Sequence, residues 1–311
     1  MTSDKDYFSS PEFKKRAREQ SKNQDSVIIT AEQWKRNQAK YGKKSPKKGK
    51  YAMAATLRDC VCGQAVGDAL GVPYEFRTRG TFECTGMVGH GSHNQPAGTW
   101  SDDTSMALAT CDSIRATGRV DVRDMRERFV RWYREGAYTV SGLFDIGGTT
   151  ADALSSGCGR AGERDNGNGS LMRILPLAFT DATDDEVRAV SAITHAHTIS
   201  CEACVRMVHV ARRLAAGEGP HDVAGSLTGV PESEVRSGGF VLSTERAALW
   251  CLANTSSYAE CVLAAVNLGD DTDTTAAVAG GLAGIVYGMD AIPPEWLSVL
   301  RGGDVIERCL F

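Results

Sequence analysis

Two short stretches of this 311-residue chain set paired carboxylates beside hydroxyls. The first reads Gly98-Thr99-Trp100-Ser101-Asp102-Asp103-Thr104 and the second Leu268-Gly269-Asp270-Asp271-Thr272-Asp273-Thr274, about 170 positions further on. Each stands at the start of a predicted helix, where Asp, Ser and Thr are common caps, and a single cluster of this kind reads as a capping device. Two clusters point to different chemistry. Four or five carboxylates gathered in one site repel one another unless a hard cation neutralises them. Magnesium takes oxygen ligands from carboxylates, hydroxyls and water, and Ser101 and Thr274 are the right hydroxyl types. Two ions about 3.5–4 Å apart could share a bridging water or hydroxide.

A third motif runs from Gly157-Cys158-Gly159-Arg160 through Asn166-Gly167-Asn168-Gly169-Ser170-Leu171-Met172-Arg173. A glycine-rich loop entering a helix exposes backbone N–H groups and the positive end of the helix dipole, which suits a phosphate or diphosphate. Glycine loops are also common turns, so it is the neighbouring metal motif that points to a phosphorylated ligand. Gly67-Asp68-Ala69-Leu70-Gly71-Val72-Pro73-Tyr74-Glu75-Phe76 ends a helix with two acids. Phe144-Asp145-Ile146-Gly147-Gly148 sets an acid beside flexible backbone, and Thr194-His195-Ala196-His197 offers two imidazoles. His195 reads equally as a satisfied structural histidine or as a site residue.

Helices must carry these motifs. From residue 53 onward apolar positions recur at three and four rather than two. The pattern predicts helices over 53–70, 104–117, 122–135, 184–194, 200–216, 245–254, 258–268 and 272–287, with Thr183 and Glu186 as a capping box and no convincing strands. Gly63, Gly67 and Gly71 are spaced by four, as are Ala276, Gly280, Gly284 and Gly288. Each glycine costs helix stability by about 1 kcal/mol relative to Ala. Such a stripe therefore suits close backbone packing, and the two helices are expected to pack centrally and bring the distant acid motifs together.

Composition is that of a globular protein, 42% hydrophobic and 24% charged. The longest apolar run, 276–289, is too short to span a bilayer. The first thirty residues lack the apolar stretch of a secretory signal, so a cytoplasmic protein is expected. The ten Cys are scattered without the second pair or the His spacing of a zinc site, which fits reduced thiols. Residues 1–50 carry 14 Lys+Arg against 6 Asp+Glu, while the rest carries 21 against 33. That asymmetry divides the chain into a basic extension with linker, 1–50, and an acidic body, 51–311, which the resemblance described below makes a catalytic domain. Within the extension, Ser10-Pro11 and Thr30 with Gln33 mark helix starts, and residues 42–50 read as a linker. The arm is either a solvated tail or a segment that docks on an acidic partner. No nucleic-acid-binding motif accompanies it.

In order, the motifs Gly-Asp-Ala-Leu-Gly-x-Pro-x-Glu-Phe, Ser-Asp-Asp-Thr, Asp-Ile-Gly, Gly-Asn-Gly-Ser-Leu-Met-Arg, Thr-His and Asp-Thr-Asp-Thr resemble the ADP-ribosylglycohydrolase family over about residues 54–300. The resemblance implies an all-α orthogonal multi-helix bundle with a two-magnesium centre, manganese being an alternative ion. It implies Ser101, Asp102, Asp103, Asp271, Asp273 and Thr274 as metal ligands, with Glu75 facing them. Asp145, Gly147, Asn168, Gly169, Ser170 and Met172 match positions around the ADP-ribose, and His195 matches a histidine on the adenosine side. Two positions depart from the family pattern: Ser101 stands where Thr is usual, and Asp270 where a second glycine is usual. The first keeps a hydroxyl for the metal, and the second adds an acid at the rim.

The implied reaction is hydrolysis of the glycosidic bond between ADP-ribose and a modified protein side chain. Arginine is the expected linkage, because the motifs look closer to bacterial arginine-type members. Asp103 or Glu75 would direct water onto C1″, through an oxocarbenium-like state. Two alternatives stand beside this reading, the first motivated by the charge and linker of the arm and holding with or without hydrolase activity. One is an immunity-type protein that blocks an ADP-ribosyltransferase toxin through residues 1–50. The other is a catalytically inactive structural relative, against which the retained carboxylates speak.

Overall fold

The computed structural model describes residues 55–311. The basic extension, its helix starts, its linker and its expected toxin-blocking role lie outside the described residues. The helices are α1 (Leu57–Gly71), α2 (Asp102–Thr117), α3 (Val122–Glu135), α4 (Gly148–Ser156), α5 (Asp184–Ser191), α6 (Thr198–Ala215), α7 (Pro220–Ala224), α8 (Val241–Asn254), α9 (Tyr258–Asn267), α10 (Thr272–Tyr287), α11 (Pro294–Val299) and α12 (Gly303–Cys309). Among the described residues the only β pairing is in isolated bridges. The fold is the expected all-α bundle, and no described helix is long and apolar enough to cross a membrane.

Helices α1 and α10 form the centre. Residues 272–285 of α10 are all buried, as is most of α1, as expected of helices packed on every side. Their small-residue stripes face each other. A Cβ placed on Gly63 would lie 2.3 Å from the Gly280 carbonyl oxygen, one on Gly67 2.0 Å from that of Ala276, and one on Gly284 2.1 Å from that of Asp59. No side chain fits between the backbones, so only glycine permits this approach. Gly288 falls outside the stripe: it caps α10 with φ 78°. Tyr258 from α9 closes the seam by donating its hydroxyl to Gly63 O at 2.6 Å.

Elsewhere the predicted pattern holds with shifted ends. The Thr183–Glu186 capping box forms in both directions. Helices α4, α7, α11 and α12 were not anticipated, since the longest has 9 residues and so few turns show little periodicity. The Gly-Asn-Gly-Ser loop does not enter an α-helix. It runs into two 3-10 turns, Leu171–Arg173 and Leu175–Phe179, because Pro176 lacks the N–H that a continuing helix would need. The helix-dipole part of the diphosphate expectation therefore fails here. All ten Cys are unpaired and nine are buried, including Cys201 and Cys204 on α6.

Candidate metal centre

The first half of the site is built where α1 ends against the start of α2. Asp68, wholly buried on α1, accepts from Ser101 N at 2.9 Å, Thr104 N at 3.0 Å and Thr104 Oγ1 at 2.6 Å. It thereby satisfies open donors of α2 from another helix. Ser101 also caps the helix, accepting from Asp103 N at 3.3 Å, and its hydroxyl donates to Asp103 Oδ2 at 3.0 Å. Gln64 fixes the Asp103 backbone by donating to Asp103 O at 3.2 Å and to Met172 O at 2.8 Å. Thr274, 171 residues along the chain, donates Oγ1 to the same Asp103 Oδ2 at 3.3 Å. The two acid motifs therefore meet, as the glycine stripes led one to expect.

The second half hangs on the turn before α10. Asp271 occupies the cap position but makes no side-chain cap bond. Its Oδ2 instead accepts from Asn168 Nδ2 at 2.8 Å, so the capping explanation fails for this carboxylate. Asp271 N donates to Ser237 O at 3.0 Å. Arg79 ties the turn to the neighbouring loop, donating to Leu268 O at 2.7 Å and to Glu232 O and Val235 O at 2.6 Å each. Asp270 holds a left-handed backbone, φ 61°, a conformation natural to glycine that Asp also tolerates. Its N–H donates to Arg77 O at 2.9 Å and its carbonyl accepts from Phe76 N at 2.7 Å.

Whether these groups suit a cation is decided by what they leave unsatisfied. Asp103 Oδ1, Asp271 Oδ1 and Asp273 Oδ2 are buried and have no hydrogen-bond partner. A buried, unpaired carboxylate is costly, and unpaired oxygens on both acid motifs are what bound divalent cations would satisfy. One carboxylate oxygen from each of Asp68, Asp103 and Asp273 lies within 4.8 Å of the others. A second group of four donors, from Glu75, His93, Asp145 and Asp273, meets the same limit. Burial and then mutual repulsion hold Asp102, Asp103 and Asp273 well above the usual carboxylate range. Burial raises Asp271 too, against the pull of Asn168, and pushes Asp68 up to about 6. The residues present fit a divalent metal centre.

The expected ligand-binding positions surround this centre unevenly. Asp145 belongs to the four-donor group and is raised by burial; Gly147 is exposed at the N-cap position before α4. Asn168 bridges to Asp271, and its own N–H is already spent on Gly239 O at 3.0 Å. Ser170 turns inward, accepting from Ser191 Oγ at 2.9 Å, and Met172 is buried at 2% exposure. His195 lies beneath the loop: a Cβ on Gly169 would come within 2.8 Å of its Cε1. Burial, with Arg173 nearby, holds the imidazole down to about 3. Its ring packs against the loop at Gly167 and Gly169. Two residues were not singled out from the sequence. Asp68 stood in a quoted motif but reads as a helix-end acid, and His93 sits in a loop with no periodic signal.

The family model for ADP-ribosylglycohydrolase matches residues 51–310. The chain is 34% identical over 280 residues to the ADP-ribosylarginine hydrolase Tri1 of Pseudomonas putida (strain GB-1), covering 81% of this chain and 76% of that protein. It is 33% identical over 264 residues to the ADP-ribosyl-[dinitrogen reductase] glycohydrolase of Rhodospirillum rubrum, covering 76% and 87%. A solved structure titled ADP-ribosylglycohydrolase-related protein complex superposes with a TM-score of 0.70 at 32% identity, over 81% of this chain and 94% of that one. With the two acid motifs joined at Asp103 and Thr274 on a matching helical frame, the chain belongs to the ADP-ribosylglycohydrolase family.

Proposed function

We propose that the protein hydrolyses the N-glycosidic bond between ADP-ribose and a modified arginine of a target protein, with two divalent cations, magnesium or alternatively manganese. The supporting observation is the junction of the two acid motifs around three buried carboxylate oxygens that have no protein partner. Ser101, Asp102, Asp103, Asp271, Asp273 and Thr274 would hold the ions. When bound, the ions would supply electrostatic stabilisation to the ribose hydroxyls and to developing charge. The arginine linkage rests on relatives named ADP-ribosylarginine hydrolase at 34% identity.

The chain's own groups account for the remaining steps. Carboxylates beside C1″ favour an oxocarbenium-like state as the C1″–N bond breaks and the guanidine leaves. Water then forms the new C1″–O bond and gives up a proton to a carboxylate. We assign that base to Glu75. Asp103 is wholly buried, and its Oδ2 already accepts from two hydroxyls. Glu75 instead groups with His93, Asp145 and Asp273, outside the set formed by Asp68, Asp103 and Asp273. Asp145 and Gly147, with the backbone at Gly169 and Ser170, would line the ADP-ribose; His195 supports that loop from below.

Release of ADP-ribose from an arginine-modified protein and from a serine-modified peptide, each with magnesium and with EDTA, tests the proposal. Magnesium-dependent release from the arginine substrate is expected. Release from the serine peptide alone would replace the linkage, and no release from either by folded, metal-loaded protein would overturn the hydrolase reading.

A further inference from the structure

The turn at residues 90–95 grips Glu75 by both its main chain and its side chain. Gly91 sits against Pro73 so closely that a Cβ there would lie 2.0 Å from the Pro73 carbonyl oxygen, and its φ is 62°. That approach lets Ser92 Oγ donate to the Glu75 carbonyl at 2.5 Å. It also brings His93 Nε2 onto Glu75 Oε2. The His93 ring makes tilted contacts with two aromatic rings, Phe76 with centroids 5.8 Å apart and Phe144 at 5.3 Å. Phe76 follows Glu75 in sequence and Phe144 precedes Asp145, so His93 spans the two chain segments that carry these acids.

We infer that His93 is a positioning residue which holds the Glu75 carboxylate in line for its role at C1″. The geometry is that of an outer hydrogen-bond partner, which orients a working carboxylate without touching the substrate. Two aromatic neighbours restrict the imidazole, and a group so restricted loses little further freedom when the site is engaged. The inference rests on the hydrolase reading above, because it presumes that Glu75 acts on the attacking water.

His93→Ala and His93→Gln separate positioning from mere support. In His93→Ala, kcat should fall about 10–100-fold, the usual cost of losing such a partner, with KM near wild type. In His93→Gln, which keeps a side-chain N–H donor, most of the lost rate should return. Equal kcat in wild type and His93→Ala would overturn the inference. So would a glutamine variant no better than alanine, or a loss confined to KM. A crystal structure of metal-loaded His93→Ala gives a readout independent of turnover: Glu75 should leave its position, and finding it in place would refute positioning. If wild type itself releases no ADP-ribose, the hydrolase reading fails, while the crystal structure still decides whether His93 holds Glu75.

Discussion

Asn168 Nδ2 donates to Asp271 Oδ2 at 2.8 Å, joining side chains 103 residues apart, and the same amide nitrogen donates to Thr244 Oγ1 at 2.9 Å. One oxygen of Asp271 is thus fixed from a neighbouring loop, and the other is left without a partner. Asn168→Ala should weaken divalent-metal binding about 10–100-fold, as loss of such an outer contact commonly does. Isothermal calorimetry with magnesium and manganese reads it directly. Undiminished affinity would mean that Asp271 is oriented by other means.

Asp271→Ala removes one carboxylate from the centre itself. Metal-dependent turnover should fall by about 10²–10³-fold or more, the scale of losing a group that stabilises charge in the transition state. In EDTA the variant should melt no lower than wild type, since one buried, repelling charge has gone. Full activity would remove Asp271 from the assigned centre.

Stability without metal should fall as pH rises. The Asp68 carboxyl has an ordinary value of 3.8 and is raised in the fold to about 6. The native state therefore binds more protons than the unfolded chain across that window. Its contribution is fully present below pH 3.8 and is lost as pH climbs through about 6. Asp102, Asp103 and Asp273, raised further, extend the loss to higher pH. Bound metal satisfies the ionised forms, so the metal-induced rise in Tm should be larger at pH 8 than at pH 5.5. Calorimetric melts at the two values, with and without magnesium, check the sign.

Gly67→Ala tests the helix seam. Alanine improves helix propensity by about 1 kcal/mol, but its Cβ would lie 2.0 Å from the Ala276 carbonyl. Overpacking of this kind costs roughly 1–3 kcal/mol, and backbone against backbone belongs at the upper end. A net loss of about 1–2 kcal/mol in urea unfolding is expected, with weaker metal binding as the two motifs move apart.

His195 should show no titration between pH 5 and 8. Burial, with Arg173 close by, holds its imidazole down to about 3. Proton NMR of the ring Cε1–H would show a flat chemical shift across that range. A midpoint near 6.5 would mean that the ring is more open than the fold makes it.

How much of this was visible in the chain depended on whether a feature repeats. The four-spaced small residues disclosed the α1–α10 seam because a helix returns every fourth residue to one face, and the paired acids were read from two short motifs that join carboxylates to hydroxyls. Asp68 was harder: an acid near a helix end has many uses, and only folding shows it reaching three donors at the start of α2. His93 has no local signal whatever, since its value comes from a turn that meets Glu75 across 18 positions. The 168–173 segment misled because glycine followed by a helix-like run suggests an N-terminus, and one proline, Pro176, diverts it into 3-10 turns.

The contact between Gly63 and Gly280 is main chain on main chain. Side-chain interfaces can adjust by changing rotamer, whereas this one has nothing to rotate. The spacing between the two halves of the centre is therefore gauged by the thickness of the polypeptide itself. Substitutions in the outer layers change volumes that neighbouring side chains can absorb, and the gauge between Asp103 and Asp273 stays the same. The fold can in this way tolerate change in its periphery while the separation of its acids stays fixed.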